Sequence, residues 1–307
     1  MDINIEETKL LAEKADHILD EIFATGKYED FIKGMVNHGN FSLKNQALIM
    51  QYAPGATDMK GMRAWNYMGR YVKDNEYGTP TLSPVFDKTN KDDSKKQGPL
   101  IGFRVNYRFD VSQTGGAAYR PLRCQEDEIY KYEERILKAL EGALSWRGKD
   151  GELNPYSLRS IFENENFKKL DSEEKVRIVT EEVNEKLLIR KLMNPRYKGL
   201  VEAEKIGINE VMLSAINYIT LTRLGLDSED IVIPNIYEYT AQEYEKFKES
   251  LNTIRQISQI VITAAETAVT LGRKDELLEV AKESVQKGRA DEYVFESNFN
   301  QESSSSL

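Results

Sequence analysis

At 307 residues the chain is long enough for two ordinary domains, and 40% hydrophobic with 30% charged residues fits water-exposed domains with real cores. No apolar run approaches the roughly 20 residues that span a bilayer, the first residues lack a signal peptide's basic start and apolar stretch, and the single Cys124 excludes an intrachain disulfide and a cysteine-based zinc cluster. A net charge of −9 opposes indiscriminate binding to duplex DNA, so the composition predicts a cytoplasmic protein with no membrane partner.

Ile5, Leu10, Leu11, Ala15, Ile18, Leu19 and Ile22 recur at helical spacing, which predicts a first helix over 5–25, ended at Gly26. A short helix is expected over 28–36. Ser42 is a natural N-cap for a third helix, which Pro54 and Gly55 terminate. Another short helix is predicted over 60–68 with Gly69 as its C-cap. The pattern then changes. Residues 79–86 read as a strand whose prolines suit an edge. Residues 90–98 are a polar loop, and 100–109 alternate with aromatic and β-branched residues, so the two strands are expected to form an antiparallel hairpin. The Gly-rich passage after Thr114 reads as a linker.

From Glu126 onward the sequence is almost wholly helical. An apolar stripe runs through 129–144, and 148–155 is a break. Ser172 is expected to cap a helix that begins with acidic residues, favourable at the positive end of the helix dipole, and that runs to about Met193. A helix over 202–224 should end at Gly225. A long helix is predicted from Thr240 to about Leu271, with Gly272 separating it from a last helix over 276–287. Residues 296–307 form a low-complexity tail expected to be disordered.

Charge is distributed unevenly. Residues 41–123 carry thirteen Lys and Arg against seven Asp and Glu, whereas the whole chain is acidic. A basic, aromatic-rich segment of this kind points to a nucleic-acid surface. Lys44, Arg63, Arg70, Lys73, Arg104 and Arg108 are candidates to neutralise phosphates. Tyr67, Tyr71 and Tyr107 are candidate platforms for unpaired bases, and Trp65 serves either as a platform or as core. Alternation along 103–109 places Arg104, Asn106 and Arg108 on one face, opposite Phe103, Val105, Tyr107 and Phe109, which makes Arg104 and Arg108 the expected exposed pair. Asn45, Gln46 and Gln113 either touch DNA or brace turns.

The same stretch resembles the N-terminal domain of ArdC-type antirestriction proteins. The matching residues are Ser42, Leu43, Asn45, Gln46, Gln51 and Pro54, then Ala56-Thr57, Gly61, Trp65, Gly69-Arg70 and Val72-Lys73. Glu76, Gly78, Pro84, Gly102-Phe103-Arg104 and the run Phe109 to Thr114 complete the pattern, with Asn75 and Tyr77 departing from a G-E-K-G turn. The resemblance implies binding of single-stranded DNA in a mobile-element or phage setting, with antirestriction or protection of DNA during transfer. It also implies a following metallopeptidase-like domain. Full members carry H-E-x-x-H, whose paired histidines hold zinc while the Glu acts as base. Here that place reads Glu181-Glu182-Val183-Asn184-Glu185, with Glu at both histidine positions, then a P-R-Y-x-G-L passage at 195–200, and Glu210 as the third position.

The expected architecture is α+β: N-terminal helices with a small antiparallel sheet in residues 1–122, then a mostly helical zincin-like domain over 123–295 whose peptidase chemistry is lost. The expected partner is single-stranded DNA, with no catalytic residue and no cofactor. Two alternatives stand beside this. Glu181, Glu185 and Glu210 would offer a hard cation an all-carboxylate site for a hydrolase, or the acidic half, 123–307, would engage a host or mobile-element protein.

Overall fold

Where Gly and Asn permit a left-handed turn, the chain reverses. The computed structural model describes residues 5–87, 98–119, 121, 123–144, 158–193, 208–234 and 241–304. The amphipathic α1 (Ile5–Ala24) ends at Gly26, whose φ of 68° places it in the left-handed region. The helices α2 (Tyr28–His38) and α3 (Leu43–Tyr52) follow, and the Ser42 hydroxyl accepts from the Asn45 N–H at the start of α3. The predicted helix over 60–68 is shorter: β1 (Met59–Lys60) precedes α4 (Met62–Tyr67), and Gly69, at φ 70°, ends the helix as expected.

The strands β3 (Thr79–Phe86) and β4 (Leu100–Asp110) form the predicted antiparallel pair, with Pro80 opposite Tyr107 and Pro84 opposite Phe103. Sheet order is β1-β4-β3, so the prolines lie on an edge strand, where a missing N–H costs no ladder bond. Besides β1, two further strands lie outside the prediction. The three-residue β2 (Arg70–Val72) pairs antiparallel with β5 (Thr114–Gly116), within what reads in sequence as the start of a linker. Runs this short carry no periodicity to detect.

The second half contains α5 (Glu126–Leu144), α6 (Arg159–Phe162), α7 (Glu165–Lys168), α8 (Ser172–Leu192), α9 (Ile208–Leu224) and α10 (Ala241–Ser304). The cap of α8 is Asp171, one residue before the expected Ser172; its carboxylate accepts from the Glu174 N–H at 2.9 Å. Gly225, at φ 78°, closes α9, with Leu226 N–H donating to the Leu221 carbonyl at 3.0 Å. Gly272 does not break α10. A Cβ there would meet the Tyr132 ring at 2.5 Å, so this glycine admits close approach of α5, which is itself kinked at Tyr132. The bounds of α10 also take in 296–304 of the expected tail. The expected break at 148–155 and the P-R-Y-x-G-L passage lie outside the described residues.

Helices α5, α8, α9 and α10 pack on one another, and α2 packs on α9. One hydrophobic cluster therefore runs through both halves, from Ile18, Phe31 and Leu48 to Val183, Ile216 and Leu251. The sheet lies at the edge of this core, with α1 and α3 packed against it. The architecture is α+β.

Candidate nucleic-acid interface

The end of β4 is organised by one carboxylate. Asp110 Oδ1 accepts from the N–H groups of Thr57 (2.7 Å) and Asp58 (2.9 Å), while Oδ2 accepts from the Ser112 N–H (2.9 Å) and hydroxyl (2.6 Å). Gln113 completes a capping box, its Oε1 accepting from the Asp110 N–H at 2.9 Å. Burial pushes the Asp110 carboxyl up, but these hydrogen bonds together hold it below its ordinary value.

This frame fixes several of the residues singled out from sequence. Trp65 is fully buried, and its indole N–H donates to the Phe109 carbonyl at 2.9 Å, so it is core. Asn45 is buried and braces β3 in both directions: its amide donates to the Leu82 carbonyl at 2.9 Å, and its Oδ1 accepts from the Leu82 N–H at 2.7 Å. The Gln46 amide donates to the Phe41 carbonyl. Arg70 ties β2 to β5 through Thr114 Oγ1 (2.9 Å), the Thr114 carbonyl (3.0 Å) and the Ala117 carbonyl. Lys73 donates to the Ser112 carbonyl, the Gln113 amide to Glu76 and the Tyr77 carbonyl, and Lys44 pairs with Asp16 at 2.7 Å. Lys60, not singled out from sequence, donates to Asp58 and to the Tyr119 hydroxyl (2.9 Å), which itself donates to Asp58.

What remains is a smaller set. Arg63 and Arg104 are exposed, and no described residue pairs with either. Arg108 is half-buried beside Gly61 rather than exposed; its Nε has no partner and burial lowers its pKa. Tyr107 is exposed, as are Tyr67 (93%), Tyr71 and Tyr77 (89%). Tyr71 lies over Gly115, where a Cβ would meet its ring at 3.0 Å. Asn75 has φ 64°, which accounts for its standing at a turn where the resembling family has Gly: Asn tolerates the left-handed region better than other side chains. These aromatics and cations belong to α4, β2, the turn after β2 and β4, so they form part of the periphery of the small sheets.

In the second half the side chains at the expected ligand positions do not converge. Glu181 is held by Arg177 at 3.2 Å, and Arg177 also pairs with Asp230 at 2.6 Å. Glu185 and Glu210 are exposed. The residues at i, i+4 spacing that face inward are Thr180 and Asn184, both fully buried, and the Asn184 amide donates to Asn217 and Thr220 of α9, each at 2.8 Å. Among the described residues no three His, Cys, Asp or Glu side chains are grouped to hold a metal ion. Cys124 is buried, and burial pushes its thiol up to about 12, leaving no thiolate near neutral pH. No helix of the described residues is long and apolar enough to cross a membrane.

No protein-family model matches the chain, and no curated protein matches it. Among solved structures it is similar to the antirestriction ArdC protein from the R388 plasmid. The metal-free crystal structure of that protein aligns with a TM-score of 0.36 and 13% identity over 85% of this chain and 96% of the other. The Mn(II)-bound structure aligns with a TM-score of 0.32 and 13% identity over 85% and 97%.

Proposed function

We propose that the chain binds single-stranded DNA through its N-terminal segment, and that the helical half is a peptidase-like scaffold without peptidase chemistry. The observation that carries this is the pairing of unsatisfied cations with exposed rings. Among the described residues none pairs with Arg63 or Arg104 and the Arg108 Nε has no hydrogen-bond partner, while Tyr67, Tyr71, Tyr77 and Tyr107 are exposed. Guanidinium groups neutralise phosphates, and an exposed phenol ring stacks any unpaired base, so the combination favours a single strand over a duplex whose bases are already stacked. The ordered matches of residues 42–114 to the ArdC-type N-terminal domain support the same reading. In that setting the protein would shield incoming DNA from restriction or accompany its transfer. Residues 1–122 then form the DNA-facing unit, and residues 123–295 its support, on the shared core.

The test is fluorescence anisotropy of a labelled single strand against the matched duplex across a salt titration. Preference for the single strand, weakening with salt and reduced in Arg63→Ala with Arg104→Ala, is expected. No binding at any salt would refute the proposal. Arg70 is unsuited as the test residue, because its three bonds to the chain make its loss structural.

A further inference from the structure

A second feature of the N-terminal segment is a cleft of about 530 Å³ between α2 and α3. Phe31 and Ile49, both buried, form apolar walls. Its polar lining is made largely of acceptors. His38 is 6% exposed and Gln46 4%. His38 Nε2 lies 2.9 Å from the Ala56 carbonyl and donates to it, so Nδ1 carries the lone pair; burial lowers the imidazole pKa and keeps it neutral. Because the Gln46 amide nitrogen donates to Phe41, its Oε1 is the free end. His38 Nδ1, Gln46 Oε1 and Asn37 Oδ1 are all buried without a hydrogen-bond partner. Asp30, exposed on the same cleft, has no hydrogen-bond partner among the described residues.

Unsatisfied buried acceptors within one cleft call for a ligand rich in N–H donors. A planar ligand suits the apolar walls. Lys33 is paired with Glu29 at 2.6 Å, which leaves Lys27, exposed on the cleft, as the cation that favours a ligand carrying a phosphate. Among nucleobases, guanine alone offers a ring N–H and an adjacent amino group on one edge; adenine and cytosine offer the amino group alone, and thymine one ring N–H. We infer that this cleft accepts one unstacked guanine of a bound strand, its N1–H and amino edge donating to the acceptors of His38, Gln46 and Asp30. This rests on the single-strand reading above and adds a base preference to binding that stacking alone leaves indifferent.

The experiment uses the full chain and labelled oligothymidylates with one central guanine, hypoxanthine or thymine. Hypoxanthine keeps the ring N–H and lacks the amino group. Guanine is expected to bind about fivefold or more tightly than either hypoxanthine or thymine, each of which keeps one ring N–H and lacks the amino group, since a lost hydrogen bond costs about a factor of five. Asp30→Asn, at an exposed site with no hydrogen-bond partner, and Gln46→Leu, checked for folding by circular dichroism, should reduce the preference while leaving the all-thymine strand bound. Equal affinity for the three strands would overturn the inference and leave the single-strand reading standing. A parallel saturation-transfer NMR measurement with GMP and IMP covers the case in which no strand binds. A GMP preference there keeps the cleft assignment and removes the strand; no signal from either removes both.

Discussion

Removing the Asp110 carboxylate should cost stability disproportionate to one side chain on a small sheet. Asp110→Ala orphans the N–H groups of Thr57 and Asp58 and removes the cap on the turn that follows β4. A lost cap costs about 1 kcal/mol, and each donor left without a partner about 1–3 kcal/mol. Thr57 is exposed, so water recovers part of its share, and a total of about 3 kcal/mol results. Asp110→Asn keeps one acceptor and should cost about 1–2 kcal/mol. Urea unfolding followed by circular dichroism measures both. Because the folded carboxyl lies below its ordinary value of 3.8, the contribution is present above that value and is lost as pH falls through the depressed folded one. The gap between wild type and Asp110→Asn should thus be constant near neutrality and close only below about pH 4. A cost below about 1 kcal/mol for the alanine variant would refute the assignment of Asp110 as the organising group.

Other perturbations separate support from interface. Trp65→Ala should destabilise by about 3–5 kcal/mol, read by the same urea titration, because it empties a fully buried site. Arg63→Ala and Arg104→Ala should leave the urea midpoint unchanged, and each should lower the salt slope of single-strand binding by about 0.7. Cys124 should resist a thiol reagent near neutral pH and react stoichiometrically once the chain is unfolded in urea, since its thiol is both buried and pushed up to about 12.

The long elements were legible because their signals repeat. The stripe of α1, the alternation of β4 and the edge prolines of β3 each state the same choice several times. Single-residue signals were ambiguous. Gly272 carries the mark of a helix break, yet it serves the approach of Tyr132 from 140 residues earlier in the chain, a contact that no local window contains. At the candidate interface, residue type alone could not distinguish a cation that meets phosphate from one that ties two strands. Arg70 and Arg104 look alike in sequence; only the pairing of β2 with β5 shows that Arg70 is spent on Thr114 and Ala117.

The helix α8 shows the same problem with more consequence. Its buried positions are Val176, Val179, Thr180, Val183, Asn184, Leu187 and Leu188, the spacing of one helical face. Glu181 and Glu185 fall off that face: Arg177 holds one, and the other is exposed. A metal centre on this helix would have to be built from the residues facing α9, and there Thr180 and Asn184 stand, with the Asn184 amide bonded to Asn217 and Thr220. Hydroxyl and amide groups lack both the charge of carboxylates and the nitrogen donors zinc prefers. The same residues bond well to one another, so the inward face of α8 joins helices. An acidic sequence motif thus sits beside a neutral, hydrogen-bonded helix contact, and α8 packs against α5, α9 and α10.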